Sequence, residues 1–247
     1  MTRLDAALVE RGLARSRTAA QAAIAAGGVT VNGVVAAKPS HPVAETDLLR
    51  ARVDPWVSRA AHKLLGGLAD SGTVVPARVL DAGASTGGFT QVCLAGGARR
   101  VYAVDVGHDQ LADELRADPR VVVWERTNLR DLTLDHVEGE PVGLIVGDVS
   151  FISLRLLLPA LFGVLAPDGC ALLLVKPQFE VGRSGLDGHG VVRDPARRQE
   201  AVRQVCRAAA ELGRPAVWTG PSRLPGENGN QEYLVKLGGP GNVGRGR

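Results

Sequence analysis

Hydrophobic positions along the chain follow two different rhythms. Over the first 50 residues, Leu4, Leu8, Leu13 and Ile24 punctuate two short stretches at helical spacing, which predicts helices over 3–11 and 16–26. Ser16 suits the N-cap of the second helix, and Gly27-Gly28 supplies its stop. Val29-Thr-Val-Asn-Gly-Val-Val then surrounds an Asn32-Gly33 turn with β-branched residues, a hairpin signal, and 48–53 predicts a further strand. A short connector containing Pro55, which biases Asp54 toward an extended backbone, leads into a helix over 59–71.

From Pro76 onward strands and helices alternate. Apolar runs predict strands at 78–81, 100–105, 121–125, 143–148, 171–176, 216–219 and 232–236. Helical spacing fills the intervals near 88–95, 108–117, 154–165 and 195–212. Such alternation builds a mostly parallel sheet with helices on both faces, an α/β fold.

Composition narrows the class. The longest apolar runs are too short for a bilayer span, and the Arg-rich start is unlike a secretory signal. Cys93, Cys170 and Cys206 are odd in number and widely spaced, so neither a disulfide framework nor a metal site is expected. The expected compartment is the cytoplasm. Residues 1–63 hold nine Lys or Arg against five Asp or Glu, whereas the rest hold 20 against 21. A basic head on a near-neutral body points to a polyanion contact at the N-terminus.

The most informative local segment is Val79-Leu-Asp-Ala-Gly-Ala-Ser-Thr-Gly-Gly-Phe-Thr. It runs from a strand through Gly83, Gly87 and Gly88 into a helix, with Ala84, Ser85 and Phe89 completing the loop. Glycines there let backbone approach a ligand at the carboxyl edge of a sheet; the alternative is a turn and nothing more. The spacing differs from the dinucleotide fingerprint, and no Lys-Ser or Lys-Thr ending makes a phosphate-cradling loop. Asp81 before the first glycine suits an ammonium group, and Asp105 after the next strand could accept both hydroxyls of a ribose. Acid, glycine loop and second acid together fit S-adenosylmethionine. Asn128 and Asp148 complete the expected cofactor set.

Methylating an alcohol requires its proton to be drawn away, which lysine can do and arginine cannot. Of 29 basic residues only four are lysines: Lys38, Lys63, Lys176 and Lys236. Strand ends of an open α/β sheet converge on its ligand crevice, so Asp148 and Lys176 are expected side by side; a solvated ion pair is the other reading. Lys63 and Glu232 could equally be ordinary surface charges. The segment after Asp148 lacks the Pro-Pro-aromatic grip for a planar nitrogen, and no cysteine stands where cytosine carbon methylation needs one. Oxygen is the expected acceptor.

These segments resemble the TlyA ribosomal RNA 2′-O-methyltransferases. The likeness rests on the glycine loop, Val104-Asp-Val-Gly, Gly147-Asp-Val-Ser-Phe-Ile-Ser, Val175-Lys-Pro-Gln-Phe-Glu, the Leu4 to Arg17 segment and Trp56-Val-Ser-Arg-x-Ala-His-Lys-Leu. It covers nearly the whole chain. It implies an S4-type RNA-binding domain over 1–51, a linker over 52–58, and a Rossmann-like, FtsJ-like methyltransferase domain over 59–238. A disordered tail is expected over 239–247. It also implies a catalytic tetrad of Lys63, Asp148, Lys176 and Glu232, with Lys176 activating a cytidine 2′-hydroxyl. Arg3, Arg11, Arg15, Arg17 and Lys38 would grip phosphates of ribosomal RNA in ribosomal subunits, unless they are simply solvated. Arg52, Trp56 and Val57 would couple RNA engagement to cofactor binding, although Pro55 makes this connector stiffer than usual. The short start and Gly-rich tail point to large-subunit RNA, with small-subunit RNA as a further target. Two other readings stand beside this one: a non-catalytic RNA-binding or ribosome-assembly factor, and a membrane-active haemolysin, a name the family has carried.

Overall fold

The computed structural model describes residues 1–182, 185–226 and 228–238. The chain separates into two compact units, residues 1–55 and 56–247. The tail expected over 239–247 lies outside the described residues.

In the first unit, β1 (Thr2–Arg3) leads into α1 (Leu4–Glu10), followed by α2 (Arg17–Ala25). Ser16 caps α2, its side chain accepting from Ala19 N at 3.2 Å. Next come β2 (Val29–Val31), β3 (Val34–Val35), β4 (Pro42–Val43) and β5 (Leu49–Ala51). β2 pairs antiparallel with β3 and with β5, while β4 pairs with β1. Leu4, Leu8, Ile24 and Val29 are buried together in a small core of their own. The two-residue strands β1 and β4 were not expected, because such short pairings carry no periodicity.

The second unit begins with α3 (Ala60–Ser71), β6 (Arg78–Ala82), α4 (Gly88–Ala95) and β7 (Arg100–Val104). Then follow α5 (Asp113–Arg116), β8 (Val121–Trp124), β9 (Val142–Gly147), α6 (Leu158–Gly163) and β10 (Leu165–Val175). α7 (Pro177–Glu180), α8 (Pro195–Glu211), β11 (Ala216–Pro221) and β12 (Tyr233–Gly238) complete it. The sheet order is β11-β12-β10-β9-β6-β7-β8. Strands β10, β9, β6, β7 and β8 run parallel, and β12 is antiparallel to both its neighbours. Residues alternate between two cores: Leu80 and Tyr102 face the one covered by α6 and α8, whereas Val79 and Val101 face the one covered by α3 and α4. The order of connection reverses between β6 and β9, so the carboxyl ends of those strands frame the crevice of the sheet.

Two expected helices are shorter than their patterns. Of 108–117 only Asp113–Arg116 is helical, because Asp109 takes a left-handed backbone (φ 53°) and the Asp105 carboxylate draws Gly107 N into a turn. Over 154–165 a 3-10 turn precedes α6, Pro159 restarts the helix, and Leu165 already belongs to β10. Asp148, Lys176 and Glu232 stand one residue beyond the strands expected to contain them. Among the described residues no helix is long and apolar enough to cross a membrane.

Candidate active-site cleft

A cleft of about 560 Å³ opens at the carboxyl edge of the sheet in the second unit. The glycine loop forms one wall. Gly83 has φ 81° and donates its N–H to Val104 O at 2.8 Å, and a Cβ there would press on the Asp148 carbonyl. Gly87 starts α4 from a left-handed backbone at φ 95°, and a Cβ there would run into Leu111 and Leu115. The loop needs glycine at both places to turn while lying flat against its neighbours.

Asp81 lies beneath the loop, fully buried. Its Oδ2 accepts from Thr90 Oγ1 at 2.7 Å, and its Oδ1 has no donor. Burial pushes this carboxyl up to about 7; the Asp148 and Asp105 charges push the same way, against the bonds from Thr90. An unpaired, buried oxygen beside the cleft is an acceptor suited to an ammonium group. Asp105 is already oriented, accepting from Ser85 N at 2.8 Å and Gly107 N at 2.7 Å. Beside it lies a recess of only about 10 Å³, bounded by Ala84, Leu111, Val123 and Gln110. The Gln110 amide accepts from Ser85 Oγ at 3.1 Å and narrows the recess. This wall therefore offers a buried acceptor to a cationic group, whereas the recess beside Asp105 is narrowed by Gln110.

The cleft also carries charges of alternating sign. Glu232 Oε2 accepts from Lys63 Nζ at 2.6 Å, and Lys63 Nζ lies 3.8 Å from Asp148 Oδ2. Asp148 Oδ1 is 2.6 Å from Lys176 Nζ, which also donates to Ser150 Oγ at 2.6 Å. Lys63 sits on α3 and Glu232 just before β12, so an array of two lysines and two carboxylates is drawn from four separate elements. All four are largely withdrawn from solvent, with Asp148 the most exposed at 15%. Mutual pairing lets such charges stay desolvated.

Several residues in and around the cleft escaped the sequence reading. Glu180 is buried and accepts from Ser153 Oγ (2.6 Å), Leu154 N (2.7 Å) and Arg155 Nε (3.2 Å). It thereby ties the loop after Asp148 to the segment after Lys176. That loop lifts Phe151 out at 90% exposure from a left-handed backbone (φ 67°), its ring centroid 5.3 Å from that of Phe179. Asn230 fixes another wall, its Oδ1 accepting from Val192 N and its Nδ2 donating to Gly190 O, each at 3.0 Å. Arg59 and Gln178 line the cleft as well. Ser150, Phe151, Gln178, Phe179 and Glu180 stood inside motifs already singled out, but only tertiary contacts give them distinct places.

Asn128 lines neither the cleft nor the recess; its side chain caps a 3-10 turn by accepting from Arg130 N at 3.0 Å. Trp56 and Val57 pack partly buried on the α3/α4 core, and Val57 N donates to Gln91 Oε1 at 2.7 Å. Arg52 N donates to Gly28 O at 2.8 Å within the first unit.

The basic residues of the first unit serve unequal ends. Arg3 and Arg17 both bond the buried Asp5 carboxylate, which also accepts from Gln21. Arg3 first, then Gln21, hold its carboxyl well below the usual range. Arg11 donates to the carbonyls of Asp47 (2.6 Å) and Ala44 (2.7 Å), and Arg15 to that of Asp54 (2.9 Å). Lys38 is exposed.

Residues 56–239 match the FtsJ-like methyltransferase family, and residues 2–49 match the S4 domain. The chain is 52% identical over 239 residues to the 16S/23S rRNA (cytidine-2′-O)-methyltransferase TlyA of Mycobacterium tuberculosis, covering 95% of this chain and 89% of that protein. It is 38% identical to Hemolysin A of Brachyspira hyodysenteriae, over 94% of this chain and 98% of that one. A solved structure of a Streptococcus thermophilus protein named as a hemolysin aligns with a TM-score of 0.75 at 37% identity, over 96% of this chain and 88% of that one.

Proposed function

This chain belongs to the TlyA family of FtsJ-like methyltransferases, and from there we propose that it methylates a cytidine 2′-hydroxyl in ribosomal RNA, with S-adenosylmethionine as donor. The observation that carries the reading is the buried Lys63–Asp148–Lys176–Glu232 array on a cleft beside the glycine loop. S-adenosylmethionine supplies a methyl group activated by its positive sulfur. Gly83, Gly87 and Asp81 would hold its amino-acid half, and Asp105 its ribose.

The protein's own task is to present a 2′-oxygen stripped of its proton. Lys176 Nζ is held from two sides, by Asp148 and Ser150, which leaves its remaining valence for the cleft. In its neutral form it takes the 2′-proton as the new oxygen–carbon bond forms. Lys63 and Glu232 form the far end of the array and keep Asp148 from turning away, a constraint that favours orientation over mobility. Phe151 offers an exposed ring on which a base drawn out of the RNA can stack. The S4 domain would bring the RNA, with Lys38 and the N–H groups that Arg3, Arg15 and Arg17 have left over meeting phosphates. Such an enzyme would work in the cytoplasm, where ribosomal subunits are assembled.

The test is to incubate purified protein and S-adenosylmethionine with separate small and large ribosomal subunits, then map modified nucleotides. A 2′-O-methylcytidine that appears only with protein and donor is the expected product. Methylation confined to a base, or saturable RNA binding without transfer, would overturn the reading.

A further inference from the structure

The polar side chains of the cleft are mostly committed to one another. The four charges pair among themselves, Ser150 is engaged by Lys176, and both ends of the Asn230 amide are bonded to backbone. Gln178 is different. It lines the cleft half-buried, and its Oε1 is shielded from solvent without a hydrogen-bond donor. A buried amide acceptor left unpaired is unfavourable and calls for a reason.

Its neighbours supply one. Two residues earlier stands Lys176, whose Nζ is held in the cleft by Asp148 and Ser150; one residue later stands Phe179, whose ring packs against that of the exposed Phe151. Glu180 anchors this same segment to the loop bearing Phe151, so the amide sits on a braced element. We propose that Gln178 is a specificity-determining residue that reads the base of the target nucleotide. This rests on the assignment of a cytidine substrate above.

The chemistry of the two groups matches. A cytosine shows an amino donor at N4 beside an acceptor at N3. A carboxamide shows an acceptor beside a donor, so Oε1 accepts from N4–H while Nε2–H donates to N3. Glutamine pairs with adenine through the same logic of one acceptor and one donor. Uracil places a carbonyl where cytosine has its amino group, and that oxygen repels Oε1 as long as the amide keeps the orientation that shields Oε1 here. Binding to the N4 amino group also gives Oε1 the donor it lacks.

The experiment compares wild type with Gln178→Met, similar in length but apolar, and with Gln178→Glu, which keeps an acceptor and loses the donor. Substrates are ribosomal subunits with cytidine or uridine at the mapped target, and S-adenosylmethionine binding is titrated in parallel. The wild type is expected to favour cytidine in kcat/KM. Gln178→Met should lower the cytidine value roughly 10- to 100-fold, leave the uridine value within about threefold, and leave cofactor affinity unchanged. Gln178→Glu should fall between the two. A cytidine-to-uridine ratio unchanged in both variants would overturn the proposal while leaving the methyltransferase reading intact. So would a weakened cofactor affinity, which would make Gln178 a contact of the donor. Failure of the wild type to methylate any cytidine 2′-hydroxyl would remove the substrate assignment, and this inference with it.

Discussion

Both units bury a carboxylate, and the two are treated in opposite ways. Asp5 of the first unit is saturated: Ala6 N, Arg3, Arg17 and Gln21 all donate to it. Asp81 of the second unit is likewise closed to solvent but has one oxygen without a donor. The saturated group holds a small domain together. The unsaturated one leads into the glycine loop that lines the cleft. A related contrast separates Arg11, pinned to two backbone carbonyls of its own unit, from Lys176, anchored on two sides at the cleft. In these two comparisons the unused hydrogen-bonding capacity belongs to the second unit and the occupied groups to the first.

The largest expected effect comes from removing the side chain that this distinction places at the reaction. Lys176→Ala should lower kcat by about 10²- to 10⁴-fold, the range for losing a general base, with cofactor affinity changed less than about threefold. Single-turnover methylation of subunits measures the first and a binding titration the second. Full activity in this variant would mean that the alternating array is only a structural ion pair.

The saturated partner makes the opposite prediction. Asp5→Asn leaves two arginines and a glutamine around a weaker acceptor, so the first unit should lose about 1–3 kcal/mol of stability. Because the Asp5 carboxyl is held below its ordinary value, its contribution is present at neutral pH and is lost as the solution is acidified past the usual carboxylate range. Hydrogen exchange over residues 1–55 at pH 7 and pH 3 measures both effects. Equal acid sensitivity in wild type and variant would show that the network stabilises nothing.

How much of this was legible in the sequence follows the same divide. The glycine loop and the strand ends were legible because they depend on local residue type and on sheet topology. Asp148 and Lys176 meet at 2.6 Å because β9 and β10 are adjacent and parallel, and each residue directly follows the carboxyl end of its strand. The arginines of the first unit were read as phosphate contacts, yet Arg11 is bound to carbonyls more than 30 residues away, and no spacing rule encodes that. Glu180 and Phe151 were hidden for a related reason. One is defined by donors some 25 residues earlier, and the other by a left-handed backbone that phenylalanine seldom adopts.

Asp81 offers a pH test. Its carboxyl is pushed up to about 7, so the folded protein retains a proton that the unfolded chain releases near 3.8. Its contribution to stability in the free protein therefore declines as pH rises from about 4 to about 7. A bound ammonium reverses the preference by stabilising the ionised form. Affinity for S-adenosylmethionine should thus strengthen roughly five- to tenfold between pH 6 and pH 7.5, and Asp81→Asn should be weaker and flat over that interval. A wild-type profile as flat as that of the variant would place the ammonium elsewhere.

The smallest expected effect belongs to Arg59, which lines the cleft at the start of α3, one helical turn before Lys63. Its guanidinium has no hydrogen-bond or ion-pair partner among the described residues, unlike Arg11 or Arg17 in the first unit. By the distinction drawn above it belongs with the groups that await a ligand, and the anion nearest a reacting 2′-oxygen is the adjoining phosphodiester. Arg59→Ala should weaken subunit binding about three- to tenfold, and the slope of log affinity against log salt should fall by about one. Lys38→Ala should do the same, whereas Arg11→Ala should instead lower the melting temperature, because its side chain already has its partners. If Arg59→Ala reduced cofactor affinity and left the salt slope unchanged, its partner would be the carboxylate of the methyl donor, and the cleft would grip its RNA through other side chains.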